Sequence, residues 1–454
     1  MPSVSRIGAA IAATAMLLVT AIWNRFQLLE YDTGGYLARW FEGTLVVSRS
    51  TTYGLLVTIF AHPDFWPVVI VQAALTVWVL ALTLRALGFG RAGMLLGVAV
   101  LLSALTTLPW IASILLTDIF AGIAVLAFYL LVFARDALKR WERVALFVLL
   151  AFAISTHGAT LAVVLALVAA AALAWWLWRI GSPSGIAQGA AALALGAVLL
   201  LTANYIVAGR VAWTPGGASL AFGRMLQDGI VKRYLDDHCP DRRLRLCAYR
   251  KELPTDADTF FWSGDTSVFN RLGRFAGLGD EMSTIVFESL REYPVWQIEA
   301  ALSATARQLV SVASGEGVEE MLWHTYAIIE KFEPSTVADM RAARQQNGEL
   351  DFTALNRIHV PVALLSMALL VPLMAAGLRH ERFAPLGTMA ATVAVALLAN
   401  AVVCGVLSNP HDRYGARLAW LPPLLMLLAA WRLSERPSLA PAQRLGGAGV
   451  PAGQ

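Results

Sequence analysis

Charged side chains are scarce in this 454-residue sequence. They make up 15% of it, whereas hydrophobic residues make up 58% and the mean hydropathy is +0.62. So little charge excludes a typical soluble protein and places the chain in a bilayer. The formal net charge of +4 does not indicate a nucleic-acid partner. Most basic residues lie in short connections between apolar runs, where the positive-inside rule accounts for them.

Cysteine is almost absent, with three residues in the chain. Cys404 lies in an apolar run, whereas Cys239 and Cys247 share the one long polar segment. These two cysteines could form a disulfide, which would fit an oxidising compartment. No second Cys or His pair completes a set of four ligands, so zinc is disfavoured.

No internal repeat is evident, which argues against a transporter built from inverted halves. The chain instead contains apolar runs near the length of about 20 residues that spans a bilayer. The first run follows Arg6 and shows no small-residue cleavage site, so we expect a retained helix and not a signal peptide. The sequence predicts an all-α polytopic membrane protein. Its spans, about ten in number by this length criterion, lie near residues 7–24, 66–87, 92–109, 117–134, 143–157, 159–178, 188–208, 359–378, 386–407 and 417–433.

The basic residues between these runs fall on alternate connections. All lie on one side of the membrane if both termini are cytoplasmic. We therefore expect an integral protein of a bacterial inner (plasma) membrane, with its acidic residues and its active face in the periplasm. The basic residues concerned are Arg6, Arg85, Arg91, Arg135, Lys139, Arg140, Arg143, Arg179, Arg379, Arg382, Arg432 and Arg436.

The runs divide the chain into four parts. Residues 1–208 form an N-terminal transmembrane module of about seven spans with the candidate catalytic outer loops. Residues 209–357 form a long outer segment, mostly helical and large enough for a folded unit of its own. Residues 358–434 form a C-terminal transmembrane module of about three spans. Residues 435–454, rich in Pro, Ala and Gly, are predicted to be a disordered cytoplasmic tail.

A carboxylate at the membrane edge is the first candidate for function. Asp32 lies in the stretch Tyr-Asp-Thr-Gly-Gly-Tyr, 31–36, just after the first apolar run. An acid in that place is costly to bury and unnecessary for spanning. A solvated loop residue is the alternative.

Asp118 is the second carboxylate, at the start of an otherwise apolar run. Thr117 or Asp118 could cap that helix. Alternatively, Asp32 and Asp118 converge on a divalent cation, Mg²⁺ or Mn²⁺, or divide the duties of base and metal ligand. His157, between two runs, is either a neutral imidazole satisfied by a carbonyl or a contact for phosphate.

Arg413 and Arg417 stand four positions apart before the last run, on one face if a helix begins there. Paired guanidinium groups suit a phosphate or pyrophosphate headgroup, although anchoring to membrane lipids is the alternative. Arg49 in the first outer loop is a candidate of the same kind, and its alternative is a solvated loop residue.

Four features follow one another along the chain. The first outer loop contains an acid and a tyrosine, and an arginine then precedes a short interfacial helix with the pattern Tyr-x-Leu-Leu. A later span begins with Leu-Thr-Asp, and Arg-Tyr precedes the last span, which contains a proline. The residues are Asp32, Tyr36, Arg49, Tyr53, Leu55, Leu56, Leu116, Thr117, Asp118, Arg413, Tyr414 and Pro422. This order resembles the GT-C superfamily of integral-membrane glycosyltransferases, which includes protein O-mannosyltransferases and bacterial lipid A aminoarabinose transferases. The resemblance covers the first four or five spans and, loosely, the last.

The resemblance implies transfer of a sugar, with inversion, from a polyprenyl-phosphate donor to a lipid, glycan or protein acceptor on the outer face. It implies that Asp32 is the catalytic base, that Asp118 is a second acid or metal ligand, and that Arg413 contacts the donor phosphate. Asp32, Asp118 and Arg413 must then converge on one outer cavity. The chain departs from the family where Gly34 and Gly35 replace a second acid, and the long outer segment matches no known family feature.

Two other functions are compatible with the sequence. A flippase or transporter of lipid-linked sugars would need polar residues deep in its spans, and these spans are nearly free of charge. A polysaccharide polymerase or ligase would use arginines in its large outer loop. The cluster Arg242, Arg243, Arg245 and Arg250 could serve in that way, or could be a solvated basic face.

Overall fold

The computed structural model describes residues 2–215 and 218–435, which are helical and contain no strand. The predicted disordered tail lies outside the described residues from position 436 onward. The α-helices are α1 (Pro2–Leu17), α2 (Val19–Asn24), α3 (Tyr31–Glu42), α4 (Thr51–Ile59), α5 (Trp66–Ala86), α6 (Ala92–Leu105), α7 (Leu108–Ser113), α8 (Asp118–Phe133), α9 (Arg140–Thr156), α10 (Gly158–Trp178), α11 (Pro183–Ala208), α12 (Ser219–Gln227), α13 (Ile230–His238), α14 (Ala257–Trp262), α15 (Val268–Arg271), α16 (Arg274–Glu292), α17 (Pro294–Val310), α18 (Trp323–Phe332), α19 (Val337–Ala342), α20 (Thr353–Arg379), α21 (Ala384–Leu407), α22 (Asp412–Ala419) and α23 (Leu421–Ser434). Short 3-10 helices cover Arg135–Ala137, Arg245–Tyr249, Pro334–Thr336, Gln345–Asn347 and Glu381–Phe383.

Within residues 2–215 and 218–435, six helical segments are long and apolar enough to cross a membrane, as expected for an integral membrane protein. They are α5, α10, α11, α20, the segment Glu381–Leu407 around α21, and the segment Asp412–Ser434 formed by α22 and α23. The ten predicted spans are not confirmed, because α1, α6, α8 and α9 have only 16, 14, 16 and 17 residues. Helices of that length fall short of the roughly 20 residues that cross a bilayer.

Helix α8 lies at the centre of the bundle. Its sequence is apolar on every side, and all of its residues from Asp118 through Val132 are buried. Helices α5, α9, α11 and α22 pack around it. Gly122 allows the Trp420 ring to approach so closely that a Cβ atom would lie 2.5 Å from it. A helix that is hydrophobic all round lies either in a protein core or in a membrane. Here its neighbours enclose α8, and this enclosure fixes the position of Asp118.

The long outer segment has one small core of its own. Helices α12 to α16 enclose it with side chains that include Phe222, Phe269 and Met282. Cys239 and Cys247 form the expected disulfide and pack against this core. The rest of the segment packs elsewhere, since α17 lies against α21 and α18 lies against α3. The segment therefore reaches from its own core back to the first outer loop.

Gly34 determines how closely α18 approaches α3. A Cβ atom on Gly34 would lie 2.8 Å from the Thr325 Cα, and the Gly34 N–H donates to Thr325 Oγ1 at 3.1 Å. We expect Gly34→Ala to lower the free energy of unfolding by about 1–3 kcal/mol. The added methyl group would clash with the backbone of α18 at Thr325, so the two helices would have to move apart. Thermal unfolding in detergent tests this. The control is Gly8→Ala, since a Cβ on Gly8 meets nothing within 4 Å; equal stability of the two variants would contradict the prediction.

Candidate functional site

The site begins at the N-terminus of α3, where two acidic residues turn inward. Glu30 is the N-cap of the helix. Its Oε2 accepts a hydrogen bond from the Asp32 N–H at 2.6 Å, and its own N–H donates to Thr33 Oγ1 at 3.1 Å. Helix N-termini stabilise acids in this way. Glu30 and Asp32 are only 5% and 8% exposed, so both carboxylates need partners inside the protein.

Arg413, at the start of α22, is their common partner. Its Nη1 lies 2.8 Å from Glu30 Oε1 and 2.8 Å from Asp32 Oδ2, and its Nε lies 3.0 Å from Asp118 Oδ2. Arg49 Nη2 pairs with the other oxygen of Asp32. Arg413 is thus in direct contact with both Asp32 and Asp118. The family resemblance required these three residues to converge. We call Glu30, Asp32, Asp118, Arg49 and Arg413 the charged cluster.

The two arginines set the ionisation of the acids on α3. Burial alone would raise the pKa of Asp32, but Arg49 and Arg413 outweigh burial and hold that pKa below its usual value. Burial raises the pKa of Glu30 to about 7, because Arg413 opposes the effect only in part and the charge of Asp32 adds to it. Asp32 is therefore ionised at neutral pH, whereas Glu30 gains and loses a proton there.

We expect the proton of Glu30 to appear in the pH dependence of stability. A carboxyl group whose pKa rises on folding binds more protons in the folded state, so its stabilising contribution is lost as pH rises from about 4.5 to about 7. Over this interval the free energy of unfolding of the wild type should fall relative to that of Glu30→Gln. Thermal unfolding of both proteins in detergent, at half-unit pH steps, measures the difference. A difference that does not change with pH would contradict the raised pKa.

Asp118 does not cap α8. The N-cap of that helix is Thr117, which makes no side-chain capping bond. Asp118 Oδ2 accepts from Arg413 instead, whereas Asp118 Oδ1 is buried and has no hydrogen-bond partner among the described residues. Only one oxygen of this buried carboxylate is therefore paired with a donor among the described residues.

The divalent cation that the sequence assigns to Asp32 and Asp118 stays a prediction. The guanidinium of Arg413 bridges these two carboxylates, in the place where such a cation would lie. Residues 2–215 and 218–435 contain no group of three or more His, Cys, Asp or Glu side chains placed to hold a metal ion. As arranged, the charged cluster does not fit the oxygen-rich coordination that Mg²⁺ or Mn²⁺ prefers.

Two further predicted residues lie next to the charged cluster. Tyr36 is buried in α3, with its hydroxyl oxygen 3.4 Å from Thr117 Oγ1. His157 is the N-cap of α10, and its Nδ1 accepts a hydrogen bond from the Ala159 N–H at 3.1 Å. The sequence analysis offered a carbonyl as the hydrogen-bond partner of a neutral His157, and the observed partner is a backbone N–H. A contact between His157 and phosphate stays a prediction.

Arg417 lies one helical turn beyond Arg413, on the same helix. It is 1% exposed, and its Nε donates to Asn400 Oδ1 at 2.9 Å while its Nη2 lies 3.2 Å from Cys404 Sγ. Its partners are neutral, in contrast to the carboxylates around Arg413. Both arginines lie in α22 at the predicted spacing of four residues. The Arg417 side chain nevertheless contacts α21 and not the acids of the charged cluster.

The sequence missed three residues of the site: Glu30, Glu316 and His411. Glu316 Oε2 accepts the backbone N–H of Arg413 at 2.7 Å, and Glu316 Oε1 lies 2.6 Å from His411 Nδ1. Glu30 had a usable signal, because an acid three positions before Thr33 forms a reciprocal cap at a helix start. Glu316 had none, since only the tertiary fold brings the loop after α17 to Arg413.

A small cleft, with a cavity volume of about 40 Å³ and partly open to solvent, adjoins the charged cluster. Its lining is mostly apolar and includes Trp110 and Phe352, whose rings pack edge to face. Asp118, Glu316 and Arg413 form its charged end. Apolar walls with a few convergent polar groups are typical of sites for amphipathic ligands.

The arginine cluster of the outer segment is exposed and belongs to the small outer core. Arg243 pairs with Asp241 at 2.7 Å, and Arg245 donates to the carbonyl oxygens of Gly277 and Leu272. Arg242 and Arg250 are exposed to solvent. This arrangement is that of a solvated basic face, the alternative to a ligase site.

Three comparisons bear on identity. Searches against known protein families, characterised proteins and solved structures found no match to this chain. A function for this helical membrane protein therefore has to be proposed from the charged cluster and the cleft beside it.

Proposed function

We propose that this protein is a membrane glycosyltransferase of the GT-C type. It transfers a sugar from a polyprenyl-phosphate donor to a lipid, glycan or protein acceptor. The observation that carries the proposal is the contact of one guanidinium, that of Arg413, with Glu30, Asp32 and Asp118 at the end of a mostly apolar cleft. A base, a cationic phosphate partner and an apolar surface are the parts that this reaction requires.

In the proposed reaction Asp32 accepts the proton of the acceptor hydroxyl. The hydroxyl oxygen then bonds to the anomeric carbon of the sugar, while the bond from that carbon to the phosphate oxygen breaks. The electron pair of that bond leaves with the polyprenyl phosphate, whose added negative charge Arg413 and Arg49 offset. Displacement from the opposite side inverts the anomeric centre.

Donor binding would also make Asp32 a better base. In the free protein, Arg413 divides its Nε and Nη1 between three carboxylates, and its Nη2 makes no hydrogen bond to the described residues. A donor phosphate that binds Nη2 shares the positive charge that holds the pKa of Asp32 down. The pKa of Asp32 then rises towards its usual value when the acceptor proton has to be removed.

The proposal includes a topology. Helices α1 and α2 together form the first span, with a break at Leu18, and α6, α8 and α9 cross as short helices enclosed by longer ones. With the basic connections cytoplasmic, both termini lie inside and the charged cluster faces the periplasm of a bacterial inner membrane. A divalent cation, if the reaction uses one, would have to displace Arg413 from Asp32 or Asp118.

Sugar transfer can be tested against transport in one assay. Inner-membrane vesicles with the protein, and matched vesicles without it, receive polyprenyl-phosphate sugars labelled separately in the sugar and in the lipid. A transferase releases unsugared polyprenyl phosphate as labelled sugar enters a second product. A flippase moves both labels across the bilayer together and leaves the sugar–phosphate bond intact. No protein-dependent cleavage with any donor would refute the proposal.

A further inference from the structure

Helix α17 joins the small outer core to the membrane part of the protein. Its residue Ala304 is fully buried and lies so close to α21 that a Cβ atom on Gly405 would be 2.8 Å from the Ala304 carbonyl oxygen. Gln308, four residues later, donates from Nε2 to the His411 carbonyl oxygen at 2.8 Å and accepts the His411 N–H at 3.0 Å. Gln297 is buried on the same side. These residues form the inner face of α17.

The contacts of this inner face place α17 at the outer ends of two candidate spans. Gly405 lies two residues before Leu407, where α21 ends. A Cβ atom on Gly415, early in α22, would collide with the carbonyl oxygen of Ser311, just after α17. The start of α22 also carries Arg413, so α17 lies at the level of the charged cluster. That level is the boundary between the spans and the outer segment.

The exposed surface of α17 divides into an apolar flank and a polar flank. Ile298 and Leu302 are 60% and 67% exposed, and Leu309 is half-buried. At about 100° per residue, these three side chains lie within about 40° of one another around the helix axis. The exposed Ser303 and Arg307 lie about 100–180° away from them. We call the first group the apolar flank and the second the polar flank.

The polar flank faces the small outer core. Arg307 Nη2 lies 3.3 Å from Asp228 Oδ1, at the end of α12. Trp296 projects between Ser303 and Arg307, and the guanidinium of Arg233, in α13, lies 5.0 Å from the centre of its ring. Since the outer core lies on this side of α17, the apolar flank faces away from it.

The apolar flank adjoins a surface that lipid covers. On α21, Val402 and Leu398 are exposed about one and two turns before Gly405. Apolar side chains exposed along a spanning helix mark its contact with the membrane. The lipid-covered surface of α21 therefore begins within about one turn of the point where α17 crosses it. A helix with one apolar side at this level suits the boundary between lipid headgroups and tails.

We propose that α17 is an interfacial helix that inserts its apolar flank into the outer leaflet of the bilayer. Phospholipid covers Ile298, Leu302 and Leu309, while the polar flank stays in water beside the small outer core. The loop after α17 carries Glu316, which accepts the backbone N–H of Arg413 at 2.7 Å. Lipid contact along α17 therefore holds the start of this loop at the height of the charged cluster. The insertion requires no sugar transfer and stands apart from the proposed function.

The test is fluorescence of single labels on the full-length protein in phospholipid nanodiscs. Ile298→Cys and Leu302→Cys place a bimane label on the apolar flank, and Ser303→Cys is the matched control on the polar flank of the same helix. The wild type supplies the blank, because its one free cysteine is buried and the other two form a disulfide.

Two quenchers report what each label touches. Phospholipid brominated on its acyl chains near the headgroup should quench the labels at Ile298 and Leu302 about twofold more than the label at Ser303. Iodide in the buffer should quench the label at Ser303 more strongly than the other two. Thermal unfolding checks that each variant folds, and Val295→Cys, beside the apolar flank and exposed, replaces one that does not.

Three results would overturn the proposal. Labels on the apolar flank that iodide reaches as readily as it reaches Ser303 would show that this flank lies in water. Labels protected from both quenchers would show that protein covers the flank, as a second copy of the chain could. Equal quenching of all labels by brominated lipid would show that α17 has no water-facing side.

Discussion

Asp32→Asn is expected to abolish sugar transfer in a protein that remains folded. Asparagine preserves the size of the side chain and one acceptor oxygen, but it cannot take a proton from the acceptor hydroxyl. Removal of a positioned base lowers turnover by about 10²–10⁴-fold. The initial rate of donor cleavage in membrane vesicles, corrected for the amount of protein, measures the effect. The loss should lie in turnover, with binding of the polyprenyl phosphate retained.

Glu42→Gln is the matched control for Asp32→Asn, since it also neutralises an acid of α3. Glu42 lies at the other end of the helix and pairs with the exposed Lys331 at 3.3 Å. Its rate should equal that of the wild type. Asp32→Asn with a rate within a few-fold of the wild type would remove Asp32 from the role of base. A loss confined to donor binding would make Asp32 a partner of Arg413 only.

The convergence of Asp32, Asp118 and Arg413 could be predicted because each residue stands at an end of an apolar run. The predicted topology alone brings such ends to one side of the membrane. A charged side chain at the edge of a span is costly, so its presence there suggests a function. Sequence could not supply the distances. These depend on α8 being enclosed by its neighbours and on the C-cap residue of α22, Trp420, which packs against Gly122.

The glycines after Asp32 illustrate what sequence could not reveal. Read along the chain, they replace the second acid that the family pattern suggests. In the fold, Gly35 faces the side chain of Arg49, whose Cγ would lie 3.3 Å from a Cβ at that position. The glycine gives Arg49 room to reach Asp32, and an acid, Glu30, lies on the other side of Asp32 and shares its partner Arg413. The contact between Gly35 and Arg49 joins α3 to the loop after it, so no local sequence signal indicated it. Glu30, at the start of α3, did have a local signal in its reciprocal cap with Thr33.

The ten spans predicted from hydropathy are not confirmed by the helices of the described residues. Hydropathy locates apolar runs but does not give helix lengths, since it ignores breaks such as the one at Leu18 between α1 and α2. It also cannot tell a short helix buried in a bundle, as α8 is, from one that contacts lipid. In the part of the chain that the structure describes, six segments meet both the length and the composition of a span.

Arg413→Ala is expected to give the largest loss of stability. The substitution leaves Glu30, Asp32 and Asp118 buried without their shared cation, and only Asp32 keeps Arg49. Removal of one partner from a buried ion pair costs about 3–5 kcal/mol, since the remaining charge stays unpaired. Thermal or denaturant unfolding in detergent measures this. Arg307→Ala is the control, because that arginine is 51% exposed where it pairs with Asp228, and exposed pairs contribute about 1 kcal/mol or less.

A double variant separates the structural role of Arg413 from its role in transfer. If unpaired carboxylates cause the instability, neutralising one of them in Arg413→Ala/Asp118→Asn should recover part of the lost free energy of unfolding. Transfer should stay absent, because no guanidinium remains to offset the charge of the leaving phosphate. Arg413→Lys should fold better than Arg413→Ala, but one ammonium group cannot copy the Nε and Nη1 contacts to two elements. Recovery of transfer in the double variant would show that Arg413 serves stability alone and that another group receives the donor phosphate.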